Sequence, residues 1–118
     1  MAELPDGSLA PVPGSLAKRV RKMEELQQQR MPECSLIEFD PILDSADMSP
    51  EDWTKFAKTI GENYYEYDGF VVLHGTDTLA YTSSALSFML EQLAKPVVVT
   101  GAQLPLSEPV IDARQNFQ

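Results

Sequence analysis

Two kinds of apolar spacing alternate along this chain. Behind Ser49, the residues Trp53, Phe56, Ala57, Ile60 and Tyr64 recur at i, i+3, i+4, i+7 and i+11, which predicts a helix over 50–66 with one apolar face. Its start is marked chemically: serine at the cap, proline at the first helical position and an acid three residues after the cap, Ser49-Pro50-Glu51-Asp52. Phe70-Val71-Val72-Leu73 is then apolar without alternation, the pattern of a strand buried on both faces of a parallel sheet. Helical spacing returns over 79–94 through Leu79, Leu86, Met89, Leu90 and Leu93, and ends before Pro96. Val97-Val98-Val99 predicts a further doubly buried strand.

Upstream, Cys34-Ser35-Leu36-Ile37-Glu38-Phe39 alternates well enough to predict a short strand over 34–39, and 40–48 reads as the loop after it. Leu16, Val20, Met23 and Leu26 predict a helix over 16–30, broken by Pro32, while three prolines and two glycines make 4–15 a loop. From residue 34 the order is β-α-β-α-β. That order predicts an α/β fold, a mainly parallel sheet flanked by helices with right-handed crossovers. Val110–Gln118 begins another helical pattern and runs for only about two turns, so the domain reads as incomplete at this end.

Charge narrows the partners. The chain carries a net −9 over 118 residues, unevenly placed: residues 1–30 sum to +1 and residues 31–118 to −10. An acidic body repels phosphate backbones, which argues against nucleic acid, and the basic cluster Lys18, Arg19, Arg21, Lys22 reads as a solvated helix face. With one cysteine, Cys34, no intrachain disulfide can form, and the N-terminus has neither the basic nor the apolar stretch of a signal peptide. No apolar run reaches the ~20 residues of a membrane span. The expectation is a soluble cytoplasmic protein without membrane partners.

In an open parallel sheet, ligands bind beyond the carboxyl ends of strands. Three polar loops fall at such ends: Asp44-Ser45-Ala46-Asp47, His74-Gly75-Thr76-Asp77-Thr78 and Thr100-Gly101-Ala102-Gln103. The second is the richest. Gly75 permits a sharp turn or close approach, Thr76 offers a hydroxyl, Asp77 a carboxylate, and the helix start offers unpaired N–H groups. Such a set would hold a zwitterionic small molecule. Equally, Asp77 or Thr78 would serve only to cap the next helix. Ser45 is either a donor to a ligand carboxylate or a local turn former with Asp44 or Asp47. His74 fits a hydrogen-bonded core histidine better than a base, and Lys95 reads as a partner for the dipole of the helix before it. One His and one Cys make no metal ligand set, and no glycine-rich phosphate loop is present, so no cofactor is expected.

Residues 68–78, DGFVVLHGTDT, resemble the second signature of bacterial-type L-asparaginases, and the likeness extends through 85–106 and back through 44–53. It is strongest to the cytosolic type I branch of that family and covers roughly residues 9–118. The resemblance implies the N-terminal α/β domain of an amidohydrolase that converts L-asparagine to L-aspartate and ammonia through a threonine nucleophile. It implies Thr76 and Asp77 as catalytic residues, Asp77 also pairing with the substrate ammonium, and Asp44, Ser45 and Ala46 as the loop around the substrate's α-groups. A homo-oligomer is implied for the full-length enzyme. Ala46 stands where the family has a polar residue, which leaves only its backbone N–H. The family's first motif, a strand ending in Thr-Gly-Gly-Thr, and its assisting lysine have no counterpart in these 118 residues, so this piece alone is expected to be inactive. The alternatives are an asparaginase-like subunit of a transfer-RNA amidotransferase and a non-catalytic fragment with a residual pocket.

Overall fold

The computed structural model describes residues 2–3, 9–10, 13–23, 26 and 29–102. The chain divides into two compact units, with Asp44–Gln103 forming the second.

In the first unit, β1 (Ala2–Glu3) pairs antiparallel with β2 (Leu9–Ala10). Helix α1 runs Ser15–Val20, shorter than the 16–30 its spacing predicts. Lys18 sits three residues before Arg21 and four before Lys22, and like charges at these spacings repel along a helix. Past Val20 the backbone instead closes tighter turns, with the Met23 N–H on the Val20 carbonyl and the Leu26 N–H on the Met23 carbonyl. The basic residues Lys18, Arg21 and Lys22 are exposed.

The strand expected at 34–39 is not formed. These residues take no regular structure and most are exposed, Leu36 and Ile37 included. Alternation supplies the side-chain pattern of a strand, yet a strand also needs a neighbour for its N–H and C=O groups, and among the described residues none lies beside it. Glu38 turns instead to α1, accepting from the Gly14 N–H at 3.0 Å and the Ala17 N–H at 3.3 Å. These are first-turn donors that a carboxylate satisfies from outside the helix.

The second unit is a β-α-β crossover with one more helix before it. Helix α2 (Pro50–Glu62) starts where the cap motif places it. The Ser49 N–H and hydroxyl donate to Asp52 Oδ2 at 2.9 and 2.8 Å, and Lys55 donates to Oδ1 at 2.7 Å. The Lys55 ammonium, then the Ser49 donors, lower the Asp52 carboxyl from its usual 3.8 to about 2. The helix stops four residues before the expected Glu66, because the Asn63 side chain donates to the Thr59 carbonyl at 2.8 Å and closes the last turn.

Strands β3 (Phe70–Leu73) and β4 (Val97–Thr100) pair in parallel, Phe70 opposite Val97 through Leu73 opposite Thr100, with α3 (Leu79–Met89) as the crossover. The β-branched valines favour this extended, pleated backbone. Helix α3 ends before the expected residue 94, where Gln92 takes a left-handed φ of 54°. Lys95 therefore lies beyond that helix, and its ammonium serves the chain after α2, donating to the Tyr64 and Tyr67 carbonyls and sitting 4.9 Å over the Tyr64 ring.

The core of this unit is Phe56 and Ile60 from α2, Val72 from β3 and Leu86 from α3. Each apolar side chain of this size contributes about 1.5–3 kcal/mol on full burial. The two strands are not buried on both faces among the described residues. Val71 and Val98 face each other in register and are 61% and 51% exposed. Among the described residues no helix is long and apolar enough to cross a membrane.

Candidate functional site

At the carboxyl ends of β3 and β4 the backbone of three segments comes together. The His74 N–H donates to the Thr100 carbonyl at 2.8 Å, which carries the parallel ladder one residue past β3. Gly101 then passes so close that a Cβ there would come within 2.5 Å of the His74 carbonyl oxygen. Residues 45–47 form a single 3-10 turn whose start is capped by Asp44: its Oδ1 accepts the Ala46 N–H at 3.0 Å, and its carbonyl accepts the Asp47 N–H at 3.1 Å. This turn fits against the 74–78 loop because Gly75 has no side chain. A Cβ at 75 would overlap the Ser45 Oγ and lie 2.7 Å from its Cβ.

The two loops are joined by side chains. Ser45, 6% exposed, donates from Oγ to Asp77 Oδ2 at 2.8 Å. Thr78 donates from Oγ1 to the Ser45 carbonyl at 2.7 Å. Asp77 is exposed, and neither it nor Thr78 caps α3 with its side chain. Thr76 is half-buried, and its hydroxyl takes no hydrogen bond from the described residues. Asp44, Ser45, Thr76 and Asp77 thus lie in adjacent turns. In this conformation the Ala46 N–H, the one donor that residue keeps, is engaged by Asp44. Gln103 lies outside the described residues.

Beneath the loops sits a buried polar relay: His74 is the hydrogen-bonded core histidine expected from its place after a buried strand, whereas its partners are not readable from the pattern. His74, 8% exposed, places Nδ1 2.6 Å from the Gly75 carbonyl and Nε2 2.8 Å from the Thr82 Oγ1. A carbonyl only accepts, so Nδ1 carries a proton, while Nε2 and the Thr82 hydroxyl share the second hydrogen bond. That hydroxyl is completely buried and in turn accepts from the Trp53 indole N–H at 3.0 Å. Met48 packs its sulfur 2.9 Å from Nε2, and the Phe56 ring lies 6.0 Å from the imidazole. The chain β3–α3–α2 is therefore pinned by hydrogen bonds directly below the site. The signal available in sequence was a threonine at an inward position of α3, eight residues after the histidine, where the apolar spacing calls for a leucine.

What the arrangement offers is a carboxylate and a hydroxyl side by side, on a rigid base, with a second hydroxyl at Thr76 unengaged. The carboxylate suits a cation and the Ser45 hydroxyl an anion. A neighbouring ammonium and carboxylate on one small molecule match both.

Known proteins resemble this chain along most of its length. The family model "Asparaginase, N-terminal" matches residues 4–118. L-asparaginase 1 of Escherichia coli is 53% identical over 107 residues, covering 91% of this chain and 32% of that protein. The crystal structure of L-asparaginase I from Vibrio cholerae superimposes with a TM-score of 0.85 at 51% identity, again covering 91% of this chain and 32% of the other. A component of the glutamyl-tRNA(Gln) amidotransferase of Thermoplasma acidophilum is 48% identical over 84 residues, covering 70% of this chain and 20% of that one. The chain spans about a third of the length of the bacterial asparaginases it matches.

Proposed function

Since the chain belongs to the asparaginase family, matching its N-terminal domain, we propose that it contributes half of the active site of an L-asparaginase-type amidohydrolase acting on L-asparagine. The observation that carries this reading is the 2.8 Å pair formed by Ser45 and Asp77. In the proposal, Asp77 receives the α-ammonium and Ser45 the α-carboxylate, and the pair opens to admit them. The side-chain amide then extends towards Thr76, whose hydroxyl is unengaged among the described residues. Thr76 assists attack by a threonine nucleophile that residues 1–118 do not contain in a Thr-Gly-Gly-Thr strand. That nucleophile would form an acyl-enzyme with release of ammonia, and water would hydrolyse it to L-aspartate. Asp44 and the Ala46 N–H shape the turn that presents Ser45.

Residues 1–118 by themselves are proposed to bind L-asparagine weakly and not to hydrolyse it, and the complete enzyme is proposed to be cytoplasmic and homo-oligomeric. The test is a chimera in which the matched residues of the E. coli relative are replaced by those of this chain. Ammonia release from L-asparagine supports the reading. A folded chimera that is inactive on L-asparagine overturns it, and one that releases ammonia only from L-glutamine points to the amidotransferase-like alternative.

A further inference from the structure

We infer that Thr78 is a positioning residue that sets Ser45 for the carboxylate end of the ligand, an inference that rests on the proposed roles of Ser45 and Asp77. Thr78 occupies the cap position of α3, with φ −122° and ψ 16°, where a threonine usually accepts an N–H of the first turn. It makes no such bond. Its hydroxyl donates instead to the Ser45 carbonyl, 33 residues away, at 2.7 Å.

Ser45 is held by the 74–78 loop in three ways. Gly75 leaves the space for it, Asp77 accepts from its hydroxyl, and Thr78 donates to its backbone. Binding a zwitterion removes one of these. When an ammonium engages Asp77 and the Ser45 hydroxyl rotates to a carboxylate, the Ser45–Asp77 bond is broken. Of the two hydrogen bonds from this loop to Ser45, only the one from Thr78 remains, and it acts on the backbone, so it leaves the serine hydroxyl free to turn. Thr78 therefore matters most when the ligand is bound, and for the ligand's carboxylate rather than its ammonium or amide. Valine at 78 keeps the size and branching but cannot donate.

The experiment uses the 118-residue chain and Thr78→Val and Thr78→Ser, followed by two-dimensional NMR. Two probes are titrated: L-asparagine, and 3-aminopropanamide, which keeps the ammonium and the amide and lacks the α-carboxylate. Thr78→Val is expected to weaken L-asparagine about tenfold, the factor carried by one charge-assisted hydrogen bond, and to leave 3-aminopropanamide within about twofold. Thr78→Ser, which keeps the donor, restores the L-asparagine affinity. Without any ligand, amide exchange at Asp47, whose N–H closes the Asp44 turn, should quicken about fivefold in Thr78→Val and recover in Thr78→Ser. Unchanged exchange at Asp47 overturns the inference, as does equal weakening of both probes. A wild-type chain that binds neither probe overturns the Ser45–Asp77 grip. The exchange measurement, which needs no ligand, distinguishes that failure from a failure of Thr78.

Discussion

Two polar clusters adjoin in this unit and are built for opposite purposes. In the lower one, His74, Thr82 and Trp53 are joined in a chain of hydrogen bonds, with the threonine hydroxyl completely buried and both imidazole nitrogens engaged. In the upper one, Asp77 is exposed with Ser45 on one of its oxygens, and the Thr76 hydroxyl is unengaged among the described residues. A buried polar group without a partner is expensive, so the lower cluster is complete and contributes stability. The upper cluster keeps hydrogen-bonding capacity in reserve at the surface, which is the capacity the proposed ligand would use. The same residue types serve both roles, and completeness of hydrogen bonding separates them.

The sharpest way to break this distinction is to alter the lower cluster. Thr82→Val keeps the volume and removes the hydroxyl, which leaves His74 Nε2 and the Trp53 N–H without their partner. We expect a loss of about 2–3 kcal/mol in urea unfolding, with L-asparagine still shifting Ser45 and Asp77 resonances in the folded fraction. A stability change below about 0.5 kcal/mol would remove the lower cluster's claim. Next in size is Gly75→Ala, where the new methyl overlaps Ser45. Displacing the 45–47 turn should lower stability by about 1–2 kcal/mol and abolish detectable L-asparagine binding. Asp77→Ala should sharpen the contrast from the other side, costing less than about 1 kcal/mol of stability while weakening L-asparagine more than about tenfold.

The smallest effect is away from both clusters, at the start of α2. Lys55 and Ser49 hold the folded Asp52 carboxyl at about 2, against 3.8 for the free group. Because the folded state holds this proton less tightly, the contribution is fully present above pH 3.8 and fades as pH falls towards 2. Asp52→Asn should therefore be less stable than wild type at pH 6, and the gap should close between pH 4 and 2. Acid unfolding of the two proteins in parallel checks this, and a gap that widens on acidification would contradict it.

How much of this was legible in sequence depends on how local the cause is. The four-residue run at 70–73 and the triplet at 97–99 announced β3 and β4, and Ser49-Pro50-Glu51-Asp52 announced the start of α2, since the partners there lie within three residues. Parallel pairing followed from their order around α3. The 34–39 segment misled because alternation reports side chains and not whether a neighbouring strand exists. Lys95 follows a helical pattern in the sequence, but the carbonyls it meets come after α2, some thirty residues back. In the site, the loops 44–47 and 74–78 were visible as polar runs, whereas the Ser45–Asp77 and Thr78–Ser45 bonds span 32 and 33 residues and no periodicity encodes them. Thr78 looked like a helix cap for the same reason: its local chemistry is that of a cap, and only the fold diverts it.

If the upper cluster serves amide hydrolysis as proposed, steady-state ammonia release by the E. coli chimera will report it. Thr76→Val removes one hydroxyl from a group that the described residues do not use, so the chimera should fold normally by circular dichroism. If Thr76 assists at the reacting amide, its loss should lower turnover about a hundredfold or more with a much smaller change in KM. Near-normal asparagine turnover by the folded Thr76→Val chimera would contradict the account.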